Sequence, residues 1–315
     1  MNIDNNPAPK VSIIIPVFNG DNYLREAIDS ALNQTYTNIE VIVINDGSKD
    51  ATHEIATSYG KKILYIKKGN GGVASALNAG IREMSGDYFS WLSHDDLYFP
   101  RKIEQQIDFL SSSGLLYKNF VVYSDFVTFS NGSSKVRHTK VPYVNPINLR
   151  LALLKSSFIN GCTLLIPKAA FNDCGFFNEG LRHTQDYDMW LRMARSYNFI
   201  KLDKEHVKSR LHNLQDSVKL KDDAIKEIDR LFVTYVHLLD ANDFSNVNHF
   251  RISYEYLKLF LNFKIRGFDE AAEAALSLGC AIERSYSTFH RVIFGLMEVL
   301  GRFLVRLYNF RKIFA

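Results

Sequence analysis

Two apolar patterns alternate through the first hundred residues. Unbroken runs of strand length, Lys10-Val11-Ser12-Ile13-Ile14-Ile15-Pro16-Val17-Phe18-Asn19, Ile39-Glu40-Val41-Ile42-Val43-Ile44-Asn45, Ile63-Leu64-Tyr65-Ile66 and Tyr88-Phe89-Ser90-Trp91-Leu92, read as strands buried on both faces. Between them lie segments of helical period. Tyr23 to Asn33 carries Leu24, Ala27, Ile28 and Ala31 on one face, and helices are also predicted from Asp50 to about Tyr59 and from Val73 to Met84. Asp21 or Asn22 is the expected cap of the first, and Asp50 of the second. Strand and helix in strict alternation, joined by short links, predict a doubly wound parallel sheet with right-handed crossovers.

The alternation then loosens. A helix is expected from Arg101 to Leu110, a strand from Phe120 to Tyr123, and an irregular hairpin from Phe126 to Val141 around Asn131-Gly132. A helix near Ile147 to Lys155, a strand from Ile159 to Ile166, a helix starting near Asp186 and an edge strand from Val207 to His212 follow. Beyond Leu220 the pattern is helical, near Asp222–Leu239, Val247–Phe263, Asp269–Arg284 and Ser287–Ile313. The expected organisation is an α/β domain over residues 1–217 and a helical extension over residues 218–315.

Composition narrows the setting. With 315 residues, 46% hydrophobic and 23% charged, the chain suits one large globular domain plus an appendage. Its three cysteines, Cys162, Cys174 and Cys280, have neither metal-ligand spacing nor the density of a disulfide scaffold, which fits a reducing cytoplasm. Met1 to Pro9 lacks an apolar leader, and no uncharged run is long enough to span a bilayer. In that setting the Asn131-Gly132-Ser133 sequon means only an exposed turn.

Charge is concentrated at one end. Residues 285–315 hold five basic residues and one acid, a balance of +4 that equals the net charge of the whole chain, so residues 1–284 are formally neutral. A nucleic-acid binder would spread its positive charge over a broad surface, so that class is excluded. On the last helix Arg291, Glu298, Arg302, Arg306 and Asn309 share one face, and Leu296, Leu300, Phe303, Leu304 and Leu307 fill the other. A basic amphipathic helix of this kind suits an anionic membrane surface, here the cytoplasmic face of the inner membrane, with packing on protein as the alternative.

Candidate chemistry gathers where strands end. Ser93-His94-Asp95-Asp96 follows the run from Tyr88, and two carboxylates at the carboxyl end of a parallel strand suit a divalent cation carrying a diphosphate. Alternatively, Asp96 caps the helix near Pro100 and Asp95 is solvated. Asp46 ends the second strand, where an acid meets a ribose or base, or shapes a turn beside Gly47. Gly69-Asn70-Gly71-Gly72 offers amides to a phosphate but lacks the Lys-Ser/Thr of a P-loop. Asp186 falls in the first turn of its helix, where the dipole favours the ionised carboxylate, and alternation delivers Arg210 and His212 to one face.

These segments, Val11 to Asn19, Val43 to Ser48, Ser93 to Asp96, Gln185-Asp186-Tyr187-Asp188-Met189-Trp190-Leu191-Arg192 and Arg210-Leu211-His212, resemble in the same order the motifs of the family 2 glycosyltransferases, which have the GT-A fold. The resemblance spans roughly Val11 to Ser217. It implies inverting transfer of a sugar from a nucleotide diphosphate donor, helped by Mg²⁺ or Mn²⁺, to a saccharide acceptor, lipid-linked in bacterial surface-polysaccharide assembly. It implies further that Pro16, Val17 and Asn19 line the nucleoside pocket and that Asp46 contacts the base. Asp95 then holds the metal with His212, Asp96 meets the donor's ribose or sugar, Arg210 lies beside the diphosphate, and Asp186 is the general base. Three positions depart from the family pattern: Ser93 for an acid, Gln185 for a glutamate, and Leu77 for an arginine. A sugar nucleotidyltransferase would carry a basic Gly-rich loop after the first strand, and Phe18-Asn19-Gly20-Asp21 has no Lys or Arg. A non-catalytic nucleotide-sugar or lipid-binding scaffold is the other alternative.

Overall fold

The computed structural model describes residues 8–132, 135–212, 221–245, 251–283, 294–303 and 305. The chain runs β1 (Val11–Val17), α1 (Leu24–Leu32), β2 (Ile39–Asn45), α2 (Thr52–Thr57), β3 (Leu64–Lys67), α3 (Gly72–Glu83), β4 (Tyr88–Trp91), β5 (Leu97–Tyr98) and α4 (Lys102–Ser112). It continues with β6 (Phe120–Phe129), β7 (Val136–Thr139), α5 (Leu149–Lys155), β8 (Ile166–Pro167), α6 (Ala169–Cys174), α7 (Gln185–Met193) and β9 (Asn198–Arg210). Helices α8 (Lys221–His237), α9 (Ile252–Arg266) and α10 (Asp269–Glu283) follow. Two compact units result, Met1–Pro146 with Phe158–Gln215, and Ile147–Ser157 with Asp216–Ala315. Helix α5, expected within the α/β domain, thus groups with the C-terminal helices.

The first unit is a mixed α/β fold. Its larger sheet has the order β3-β2-β1-β4-β8, with β8 antiparallel to β4 and the other neighbours parallel. Every residue of β1 is buried, as the continuous apolar run requires of a strand covered on both faces. A second sheet has the order β5-β9-β6-β7, in which β6 and β9 run parallel.

Several elements differ from the sequence expectation. Phe120 to Phe129 forms one strand, because opposite Ser124–Phe126 it is β9 that bulges, Leu202 to Val207 spanning the same stretch, without ending the pairing. Asp125 there meets Lys201, 3.1 Å away, and the Val141 N–H at 2.9 Å. The expected strand from Ile159 is replaced by a 3-10 turn at Gly161–Thr163, where the Asn160 side chain accepts the Cys162 N–H, and only its end pairs, Leu165 in a bridge to Val122 and Ile166–Pro167 with β4. Strand β9 is interior rather than an edge; Lys208 lies over the Phe99 ring at 4.9 Å, so a polar letter covers apolar surface. Asp21 and Asn22 do not cap α1, which begins after Tyr23 with no side-chain cap, and Asp96 does not cap α4, which follows Arg101.

The second unit packs aromatic rings, with Phe232 5.5 Å from Phe263 and 5.6 Å from Phe268. Asp229 on α8 receives the N–H groups of Glu270 and Ala271 at 3.1 and 2.8 Å, satisfying the orphan donors that begin α10. Residues 294–303 are helical. Their inner side carries Phe294, Gly301 against Leu261, and Arg302 over the Phe260 ring at 4.8 Å. Their outer side presents Leu296, Met297, Val299, Leu300 and Phe303, each 45–67% exposed. The apolar face is therefore turned outward, and the Glu298–Arg302 pair lies beside it at 3.0 Å. Arg291, Leu304, Arg306, Leu307 and Asn309 lie outside the described residues. No described helix is long and apolar enough to cross a membrane.

Candidate functional site

Parallel register aligns the carboxyl ends of three strands. Val17 pairs with Asn45 and Ile14 with Trp91, so the segments after β1, β2 and β4 emerge along one edge of the sheet, where open α/β folds bind ligands. Asn19 takes a left-handed φ of 50°, which asparagine tolerates, and its amide hydrogen goes to Ser48 Oγ at 2.9 Å. Asn19 Oδ1 in turn accepts the Lys49 N–H at 2.9 Å, joining the two loops. A Cβ on Gly20 would stand 2.6 Å from the His94 ring, so a glycine there lets the first loop meet the Asp95–Asp96 turn. Phe18, which the sequence reading passed over, leaves its ring 45% exposed at this edge.

Asp46 reaches the expected edge with its carboxylate already engaged. Lys68 Nζ lies 2.6 Å from Oδ1, and Oδ2 accepts the Gly71 and Gly72 N–H groups at 3.1 and 2.7 Å. The glycine loop thus gives these two amides to Asp46, which fills the role that an anionic ligand had on sequence grounds.

Asp95 and Asp96 divide at the end of β4. Asp95 Oδ2 lies 2.9 Å from His212 Nε2. Asp96 is buried; its Oδ1 accepts the Arg210 backbone N–H at 2.9 Å, and its Oδ2 faces Ser209 Oγ at 3.4 Å. Burial, helped by the adjacent Asp95 charge, pushes the Asp96 carboxyl up to about 7. Ser93, at the position where an acid was expected, directs its hydroxyl to Cys162 Sγ at 3.3 Å. Arg210 closes the cluster: Nε donates to the Asp95 carbonyl at 2.9 Å, Nη2 to Glu26 at 2.9 Å, and Nη1 to Asn131. Its guanidinium lies between the rings of Tyr23 and Phe129, 4.4 and 4.7 Å from their centroids, and Tyr23 also meets the His212 ring at 5.0 Å.

The carboxylate–imidazole pair suits a divalent cation. Two neighbouring ligands on an octahedral ion with bonds of about 2.1 Å stand roughly 3 Å apart, and the Asp95–His212 separation matches. Among the described residues no group of three or more His, Cys, Asp and Glu stands where it could hold a metal ion.

Asp186 lies in the first turn of α7. Helix α7 is held against β4 by aromatic packing: Phe177 stands 6.3 Å from Trp91 and 6.0 Å from Trp190. Gly161 fits between the two indoles; a Cβ there would lie 2.7 Å from Trp91 and 3.5 Å from Trp190. Trp190 therefore serves as packing, while Asp186, one turn earlier, is half-buried with Oδ1 accepting the Tyr187 N–H at 2.8 Å. Asp188 is bound instead to Arg192 at 2.7 Å. Asn78 ties α3 to the segment before α7, exchanging hydrogen bonds with the Phe177 backbone at 2.9 Å in both directions. Gln185 is buried, and its Oε1 has no hydrogen-bond partner among the described residues.

Sequence reasoning missed Tyr23, Glu26 and Asn131. Their only signals were a helix start and a turn, because their role arises from Arg210, at the end of β9, meeting both.

Comparisons with known proteins bear on the family and the fold. The profile of glycosyl transferase family 2 matches residues 12–175. An uncharacterized glycosyltransferase of Rickettsia typhi is 50% identical over 214 residues, which are 67% of this chain and 67% of that protein. One from Rickettsia felis is 47% identical over 240 residues, 75% of this chain but only 39% of its own length. The chain thus spans well under half of that longer relative. The mannosyltransferase PcManGT of Pyrobaculum calidifontis, in complex with GDP-Man and Mn²⁺, shares the fold at a TM-score of 0.57 and 16% identity, over 96% of this chain and 85% of that one.

Proposed function

The chain belongs to glycosyl transferase family 2, and from that membership we propose that it transfers a sugar, with inversion, from a nucleotide diphosphate donor to an acceptor hydroxyl. The observation that carries this reading is the Asp95–His212 pair at the end of β4, with Asp186 on a helix packed against the same strand. In such a transfer the acceptor oxygen forms a bond to the anomeric carbon as the bond to the diphosphate oxygen breaks on the opposite face. The acceptor's proton passes to the Asp186 carboxylate, which contributes roughly 10²- to 10⁴-fold. Asp95 and His212 would hold Mg²⁺ or Mn²⁺, which as a Lewis acid stabilises the departing diphosphate by several kcal/mol. The GDP-Man and Mn²⁺ bound by the P. calidifontis enzyme are a donor and an ion of the proposed classes.

Pro16, Val17 and Asn19 would border the nucleoside, with Phe18 offering a ring face to the base. Asp46 would contact the base by exchanging one of its loop amides. Asp96, deeper in the fold, would face the donor's ribose or sugar. Residues 1–217, apart from the α5 segment, would form the catalytic domain in this reading, and residues 218–315 would serve with α5 as an extension. The exposed apolar face of residues 294–303, flanked in sequence by Arg291, Arg306, Arg311 and Lys312, supports docking on an anionic membrane surface. A protein held there would meet a lipid-linked saccharide acceptor, as in bacterial surface-polysaccharide assembly.

The test is a panel of UDP-, GDP- and dTDP-sugars incubated with the purified protein and Mn²⁺, scored for nucleotide release and, with an acceptor, for the anomeric configuration of the product. Release from one donor class with an inverted product supports the proposal. Retained configuration, or no release from any donor, would reject it.

A further inference from the structure

Arg210 was expected to lie beside the diphosphate as a donor ligand. The structure gives its guanidinium other work: Nε goes to the Asp95 carbonyl, Nη2 to Glu26, and Nη1 to Asn131. Two aromatic faces cover it, and its side chain is only 3% exposed. A phosphate could reach it only by displacing these partners. What it does hold is the turn that bears the acids.

We propose that Arg210 is a positioning residue that clasps the Asp95–Asp96 turn to the end of β9 and thereby sets the spacing of Asp95 and His212. This rests on the reading of that pair as the metal and donor site. Three bonds form the clasp. The Arg210 side chain fixes the backbone of Asp95, the Arg210 backbone N–H fixes the carboxylate of Asp96, and His212, two residues on, meets the carboxylate of Asp95. Because His212 follows two residues after Arg210, the last residue of β9, fixing Arg210 limits where His212 can stand. Glu26 on α1 and Asn131 at the tip of the β6–β7 hairpin hold the far side of the guanidinium, so the clasp also ties the strand end to the helix and hairpin beside it. Only a planar fork satisfies partners in three directions at once; a lysine ammonium is a point charge and cannot.

That difference separates positioning from direct contact with the donor. In Arg210→Lys the charge stays and the fork is lost. Two quantities would be read on Arg210→Lys and Arg210→Gln: backbone amide exchange of the peptide covering residues 92–98, without metal, and Mn²⁺ affinity in the presence of UDP or GDP. Glu26→Gln, which removes one peripheral anchor, serves as a milder variant should the others fold poorly. The clasp predicts faster exchange of the 92–98 peptide in both Arg210 variants and a 10- to 100-fold loss of Mn²⁺ affinity, with a smaller loss in Glu26→Gln. Metal-free nucleotide binding should change less than Mn²⁺ affinity. Unchanged exchange at 92–98, or wild-type behaviour of Arg210→Lys with a loss confined to Arg210→Gln, would overturn the proposal in favour of direct charge contact. If the wild-type protein bound no nucleotide with Mn²⁺ while the variants still loosened 92–98, the site reading would fall and the clasp would stand.

Discussion

His212 Nε2 and Asp95 Oδ2 lie 2.9 Å apart although 117 positions separate them in the chain. The contact exists because β9 runs through the middle of its sheet and ends beside the turn that follows β4. If this pair binds the cation, Asp95→Ala and His212→Ala should each weaken Mn²⁺-dependent nucleotide binding by about 10-fold or more, while binding in EDTA stays as in the wild type. Isothermal titration with and without Mn²⁺ reads both; equal losses in the two conditions would show that the side chains contact the nucleotide directly.

Asp186→Asn keeps the shape of the α7 first turn and removes the proton acceptor. Transfer should fall by roughly 10²- to 10⁴-fold with nucleotide affinity unchanged. Near wild-type turnover in a steady-state assay would sink the base assignment.

Gly161 separates two indoles, and any side chain there meets the Trp91 ring. Gly161→Ala should destabilise the protein by about 1–3 kcal/mol through overpacking, read as a lower urea midpoint. Because the same contact seats α7, turnover should fall while Mn²⁺ affinity holds. A loss of metal affinity as large as the loss of turnover would show that the packing does not act on α7 alone.

Two buried bases give stability a pH dependence. Burial holds the Lys102 ammonium down to about 7 from its ordinary 10.5, and burial with the Lys102 and Lys204 charges holds His206 down to about 3 from 6.5. In both cases the unfolded chain accepts a proton that the folded chain refuses. Stability contributed by Lys102 is therefore lost as pH falls from 10.5 to 7, and that contributed by His206 as pH falls from 6.5 to 3, by up to ~1.4 kcal/mol per pH unit for each. Lys102→Met should flatten the upper window and His206→Gln the lower one in urea midpoints taken across pH. Parallel curves for variant and wild type would refute the assignment.

The outward apolar face of residues 294–303 can be removed without touching the core. The triple change Leu296→Ser, Leu300→Ser and Phe303→Ser should abolish co-sedimentation with vesicles containing phosphatidylglycerol and leave the melting temperature within a few degrees. Persisting co-sedimentation would place the membrane contact elsewhere.

By itself, the sequence determined the strand and helix alternation through Trp91 and the three strand ends that carry Asn19, Asp46 and Asp95. Continuous apolar runs and helical stripes are local patterns, and a parallel sheet buried on both faces needs little else to specify its order of elements. It also placed Asp186 at a helix start. Tertiary structure alone decided what those side chains touch. Nothing in the spelling of Asp46 shows that Lys68 and two glycine amides take its carboxylate, and nothing near Arg210 shows that Glu26 and Asn131 complete its fork. The second sheet stayed hidden for the same reason. Strand β9 is flanked by β5 and β6, which come from distant parts of the chain, and its polar residues pair with partners that the local pattern does not contain. Local periodicity encodes burial along an element; which charges meet across elements depends on register and crossing, and those exist only once the chain has folded.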